Sequence, residues 1–213
     1  MIWLGEELVF PPLELATEDG VLAIGGDLSV ARLKLAYQNG IFPWFNEGEP
    51  IVWYSPWERM VLFPDEVKVS KSMKQVLRKK DFTITENQAF EQVIFNCKHI
   101  NRNDQFGTWI TDDMEQAYIN LHKEGFAKSI EVWHFDSAQS KNVLVGGLYG
   151  VDLGNGVFCG ESMFSKASNM SKLAFIHLAQ NCGYKLIDCQ VYNEHLASLG
   201  AREIDRSEFL GLL

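Results

Sequence analysis

The sequence predicts an α+β fold, and three observations carry that reading. Segments with helical spacing alternate with runs of β-formers from about Pro64 onward. Two β-forming runs rich in glycine meet at Asn155-Gly156, a strong hairpin turn signal. The chain of 213 residues is 46% hydrophobic and 12% aromatic, enough to bury a proper core.

The first segment, residues 1–62, reads as a small domain that leans on a larger one spanning 63–213. It is turn-rich and holds Trp3, Trp44, Trp53 and Trp57, four of the six tryptophans. Gly25-Gly26-Asp27 is a turn, with Asp27 a turn acid rather than a metal ligand. Ser29 caps a helix to Asn39, and Gly40 stops it. Leu33, Leu35, Ala36 and Tyr37 form its apolar side. Ile51–Tyr54 and Arg59–Phe63 are strands, separated by Ser55-Pro56.

The larger part begins with a helix over Ser70–Lys80, its Met73, Val76 and Leu77 inward. Phe82–Thr85 is a strand. Asn87–Cys97 is a helix with Phe90, Val93 and Ile94 on one side. His99–Gly107 is a polar loop. Thr111 caps a helix to Glu124, with Asp112 and Asp113 well placed in its first turn. Ser129–Phe135 is a strand, and the hairpin strands run over Asn142–Val151 and Gly156–Met163. Asn169–Cys182 is a largely buried helix, Lys185–Val191 a strand. Asn193 caps a helix to Leu199, and Ser207–Leu213 closes the chain helically. This order matches an acetyltransferase-like (GNAT) sheet, although order alone fits several folds.

A net charge of −9 argues against a uniform coat for nucleic acid. The four cysteines show no Cys-x-x-Cys, and the five histidines no metal-ligand spacing. No signal peptide or membrane span is evident, so the expectation is a soluble cytoplasmic protein, monomeric, with no metal or organic cofactor.

Three features bear on chemistry. Asp188 and Gln190 lie two apart on a predicted strand and so share a face. A polar pair there is either a structural hydrogen-bond network or a used site. Glu161, near the end of a strand that can lie beside it, adds a second carboxylate. Gly146, Gly147, Gly150 and Gly160 offer either a surface cleared for a ligand or a closely packed hairpin. Lys68, Lys71, Lys74, Arg78, Lys79 and Lys80 form a run without an acid. Lys71, Lys74 and Arg78 fall on one helix face, which is either a phosphate contact or a solvated surface. Trp44, Trp109 and Tyr118 can stack on a ring or simply fill the core.

Taken together, several motifs resemble the leucyl/phenylalanyl-tRNA–protein transferases. They are Gly25-Gly-Asp-Leu28, Tyr37-Gln-Asn-Gly-Ile-Phe-Pro-Trp-Phe45, Thr108-Trp-Ile-Thr111, Ser129-Ile-Glu-Val-Trp133, Val145-Gly-Gly-Leu-Tyr-Gly150, Phe158-Cys-Gly-Glu-Ser-Met-Phe-Ser165, Leu186-Ile-Asp-Cys-Gln190 and His195-Leu-Ala-Ser-Leu-Gly-Ala201. The resemblance implies a GNAT-like C-terminal domain. It also implies transfer of leucine, phenylalanine or methionine from aminoacyl-tRNA to proteins beginning with Arg or Lys, creating an N-degron for proteolysis. The family's catalytic pair falls on Asp188 and Gln190, and its site glutamate on Glu161. Its aminoacyl pocket maps to Leu148, Met163, Phe175, Leu178 and Ile187, and the resemblance makes the glycine hairpin the floor of that pocket, its glycines leaving room for the esterified adenosine. Its aromatic residues near the terminal adenosine map to Trp44, Trp109 and Tyr118. Its basic tRNA-facing surface corresponds to the helix of Lys71, Lys74, Arg78, Lys79 and Lys80. One competitor is a non-catalytic tRNA- or peptide-binding module, against which Glu161, Asp188 and Gln190 converging on one site would argue; the other is an acyl-CoA-dependent acetyltransferase. Ser165–Asn169, where such enzymes carry a glycine-containing pyrophosphate loop, holds no glycine.

Overall fold

The computed structural model describes residues 2–79, 81–100, 108–138 and 140–213. Two sheets organise them. The smaller contains β1 (Ile2–Leu4), β2 (Val21–Gly25), β3 (Phe42–Pro43) and β4 (Val52–Tyr54), in the order β1-β2-β4-β3. Helix α1 (Val30–Gln38) starts where Ser29 Oγ accepts the Arg32 backbone N–H at 3.3 Å. The Asp27 carboxylate accepts from the Ser29 N–H and the buried Arg32 guanidinium, as a turn acid should.

The larger sheet contains seven strands. They are β5 (Glu58–Leu62), β6 (Phe82–Glu86), β7 (Ala127–Asp136), β8 (Lys141–Asp152), β9 (Val157–Ser165), β10 (Leu186–Gln190) and β11 (Arg202–Asp205). Their spatial order is β11-β5-β10-β9-β8-β7-β6. Only β9 and β10 run parallel within it; the other neighbours are antiparallel. The expected boundary after residue 62 therefore follows a strand, β5, that already lies inside the larger sheet.

Helices α2 (Lys71–Lys79), α3 (Phe90–His99), α4 (Asp112–Lys123), α5 (Met170–Asn181), α6 (Glu194–Ser198) and α7 (Arg206–Leu210) surround the sheet. Thr111 and Asn193 cap α4 and α6 through their side-chain oxygens, at 3.2 Å each. One apolar cluster gathers Val93, Ile94, Tyr118, Leu121 and Tyr149 with Tyr37 and Trp53 of the first segment. Another, on the α5 side, gathers Met73, Val132, Leu173, Ile176 and Ile187.

Strand β11 was not anticipated, because its four residues fall between two short helices. The hairpin exists, but its turn differs from the Asn-Gly expectation. Gly154 and Gly156 take the positive φ angles, 75° and 89°. Asn155 instead accepts the Val157 N–H through its side chain at 3.1 Å.

The glycines of that hairpin serve packing more than ligand access. A Cβ on Gly150 would lie 2.2 Å from the Cys159 carbonyl oxygen, and one on Gly146 2.4 Å from Met170 Cβ. A Cβ on Gly147 would meet the Ile130 carbonyl oxygen at 2.7 Å. Of the four, Gly160 is the one with room, its nearest neighbour the Asp188 carbonyl oxygen at 3.4 Å.

Candidate active site

Two β-bulges place the polar groups. Between β8 and β9, Tyr149 faces Ser162 and Gly150 faces Gly160, so Glu161 is the extra residue. Between β10 and β5, Asp188 faces Val61 and Gln190 faces Met60, so Cys189 is extra and Gln190 takes φ 64°. A bulge breaks strict alternation and re-aims side chains. The parallel pairing of β9 with β10 ends at Asp188 opposite Cys159. Beyond it lies a cavity of about 630 Å³, walled by Gly160–Ser165 on one side and Cys189–Asn193 on the other.

Glu161 is the centre of this site. Its Oε1 accepts hydrogen bonds from the Tyr37 hydroxyl and from Gln190 Nε2, both at 2.7 Å. Its Oε2 accepts from the Tyr118 hydroxyl at 3.0 Å. The two tyrosine hydroxyls also contact each other closely. Burial pushes the Glu161 carboxyl up to about 7, with the charge of Asp188 adding to it and the three donors holding it back. Burial first, and then the Glu161 charge, raise Tyr37 and Tyr118 well above the ordinary phenol range, so both stay protonated and donate. Glu161 is thereby joined by hydrogen bonds to α1, α4 and β10.

Asp188 sits behind it, fully buried. Arg59 Nε donates to Oδ1 at 2.8 Å and Nη2 to Oδ2 at 2.6 Å, a two-pronged ion pair. The Gln190 backbone N–H completes Oδ1 at 2.8 Å. Arg59 Nη1 reaches the Gly40 carbonyl at 3.1 Å, and its guanidinium lies against the rings of Phe42 and Phe209. Burial opposes the Arg59 charge, but Asp188 overcomes it and raises the pKa above its ordinary value. The expected partnership of Asp188 and Gln190 thus runs through the Gln190 backbone. The Gln190 side chain turns to Glu161.

Leu148, Met163, Phe175, Leu178 and Ile187 all line the cavity, as do Trp44 and Trp109. Tyr118 differs from its expected place beside a bound ring. It is completely buried, with its hydroxyl on Glu161. Lys71, Lys74, Arg78 and Lys79 are exposed on α2, while Lys80 lies outside the described residues. The approach to α2 joins the cavity rim: the Lys68 N–H donates to the Leu199 carbonyl at 2.8 Å, just past α6, whose His195 and Leu196 line the cavity. Burial, then Lys172, lowers the His195 pKa.

Arg59 and Tyr37 were missed as site residues. Arg59 is the one cation in the otherwise apolar run Arg59–Phe63, and a charge there needs a partner. Asp188, the one acid in the apolar run Leu186–Cys189, was the available partner. Tyr37 reads from the sequence as helix core and as the start of a family motif, yet a buried hydroxyl also requires a partner.

A mixed sheet whose parallel pair ends at a cavity, with a carboxylate and an amide at the fork, defines an acetyltransferase-like fold. The fold is similar to that of FemX, with a TM-score of 0.51 and 10% identity over 82% of this chain and 66% of that one. Two family models match, the leucyl/phenylalanyl-tRNA protein transferase over residues 61–213 and its N-terminal domain over residues 26–56. A leucyl/phenylalanyl-tRNA–protein transferase of Flavobacterium johnsoniae is 61% identical, over 100% of this chain and 99% of that protein. Those of Christiangramia forsetii and Syntrophus aciditrophicus are each 54% identical, covering 100% and 99% of this chain and 100% and 86% of their own. The chain belongs to the leucyl/phenylalanyl-tRNA protein transferase family, a family of aminoacyltransferases.

Proposed function

We propose that this chain transfers leucine or phenylalanine, and also methionine, from aminoacyl-tRNA to the α-amino group of proteins that begin with Arg or Lys. The product carries an N-degron, and the work is done by a monomer in the cytoplasm. The observation that carries this reading is Glu161, held by Tyr37, Tyr118 and Gln190 in the wall of a cavity with an apolar base.

The donor is an activated ester. Attack by the amine forms a C–N bond and breaks the bond from the carbonyl carbon to the ribose oxygen, which takes up a proton. Holding amine and ester together supplies much of the acceleration. The nucleophile must be neutral, and an α-ammonium has a pKa near 8. A carboxylate with a pKa of about 7 is well matched to remove that proton. Gln190 Nε2 fixes the carboxylate. Asp188, already satisfied by Arg59, is a positioning residue that fixes the Gln190 backbone. Leu148, Met163, Phe175, Leu178 and Ile187 receive the aminoacyl side chain. Separating Leu, Met and Phe by shape there is worth about 1–3 kcal/mol per methylene-sized difference. Trp44 and Trp109 pack against the terminal adenosine.

The test uses labelled Leu-tRNA or labelled acetyl-CoA as donor, and an Arg-starting peptide as acceptor. Leucyl transfer without acetyl transfer is expected. Acetyl transfer, or no leucyl transfer by folded protein, refutes the reading. Glu161→Gln should lower turnover by about 10²-fold or more and remove the rise in rate with pH centred near 7 that wild type should show.

A further inference from the structure

We propose that Glu86, His177 and Cys182 form a site for a borderline-soft divalent cation of the Zn²⁺ type, apart from the transfer cavity. Glu86 is the last residue of β6, the edge strand of the larger sheet. His177 lies on α5, and Cys182 is the residue that ends it. Their carboxylate oxygen, ring nitrogen and thiol sulfur all lie within 4.8 Å of one another. His177 Nε2 and Glu86 Oε1 are 2.8 Å apart, and Cys182 Sγ lies 3.9 Å from the His177 carbonyl oxygen.

Carboxylate, imidazole and thiolate make a donor set suited to Zn²⁺, and three of them leave a fourth tetrahedral position for water. Around such an ion, bonds of about 2.0–2.3 Å put the ligand atoms about 3–4 Å apart. The three groups here need shifts of only about an ångström to reach that spacing. The present Glu86–His177 contact is the hydrogen bond that the ion would replace. Both side chains are partly exposed, so an ion can enter from solvent. Coordination would release the Cys182 thiol proton to solvent and leave the thiolate on the ion. The site would pin the end of α5 to the sheet edge. The same helix presents Phe175 and Leu178 to the cavity, so the ion would stiffen that wall.

The experiment strips the full chain with a chelator and titrates it with Co²⁺ alone. The readouts are the visible bands of four-coordinate cobalt and the near-ultraviolet thiolate-to-cobalt absorption. Saturation at one equivalent with both sets of bands is expected. Cys182→Ser should abolish the thiolate band, and His177→Ala and Glu86→Gln should each weaken binding by about tenfold or more. The wild-type spectrum is decisive by itself. A titration without a thiolate band overturns the proposal, and so does a band that survives Cys182→Ser. Denaturation midpoints of the chelated variants separate lost binding from lost folding. Leucyl transfer is not the readout, so failure here leaves the transferase reading untouched.

Discussion

Arg59 and Asp188 are both almost fully buried, so neither charge is removed cheaply without the other. Taking one partner from a buried pair leaves an uncompensated ion, which costs about 3–5 kcal/mol. Replacing both with apolar residues leaves no such ion. Arg59→Leu and Asp188→Leu should therefore each lower stability by about that amount, and the double variant by much less than their sum. Urea denaturation of the four proteins measures this directly; additive losses would show that the pair is not a unit. The position matters as well as the energy. Arg59 also binds the Gly40 carbonyl, two residues before Phe42 at the cavity rim. One guanidinium thereby ties the rim carrying Trp44 to the strand carrying Gln190.

At the scale of elements, α2 is where charge is concentrated in a chain of net −9. Lys71, Lys74 and Arg78 are exposed and share a face, and the segment before the helix is bonded beside the cavity rim through Lys68 and Leu199. Glutamates at those three positions should raise the KM for aminoacyl-tRNA and leave turnover at saturation unchanged. The salt dependence of tRNA binding should flatten by about one unit of log–log slope per lost phosphate contact. An aminoacyl-adenosine donor, which has no polynucleotide, should be used equally well by both proteins; an unchanged KM for intact tRNA would make the helix a solvated face. The elements themselves were largely legible in the sequence, because Ser29, Thr111 and Asn193 cap helices by local chemistry. The five apolar residues that the family resemblance singles out all line the cavity. The polar centre was only partly legible. Alternation put Asp188 and Gln190 on one face, but the bulge at Cys189 turned the Gln190 side chain to Glu161. Tyr37 lies 124 residues from Glu161 and Arg59 129 from Asp188, and no local spacing encodes pairs that distant. The hairpin glycines illustrate the same limit. Their residue type fits either a ligand floor or tight packing, and only the neighbours of each absent Cβ decide it.

For the molecule as a whole, the role proposed for Glu161 in transfer ties that chemistry to folding. The hydrogen bonds of Glu161 join α1 of the smaller sheet's segment to α4 and β10. The folded-state pKa of about 7 stands above the ordinary 4.5. Between those values the folded protein binds a proton that the unfolded chain has lost, so stability falls as pH rises. The contribution is present in full below about pH 4.5, declines through the interval and is gone above about 7. At 1.36 kcal/mol per unit the loss amounts to up to about 3 kcal/mol. Glu161→Gln keeps the shape and cannot ionise, so this part of the pH dependence should vanish. Urea midpoints from pH 5 to pH 8 should fall more steeply for wild type than for the variant. Parallel curves would mean that Glu161 titrates in the ordinary carboxylate range, and would remove it as the base that takes the amine proton. A steeper wild-type curve would mean that the protein gives up part of its stability at neutral pH to keep a carboxylate near the point of titration. A group shared equally between acid and base at the working pH suits a reaction whose nucleophile must lose one proton, and the cost falls on the whole fold because the donors come from so many elements.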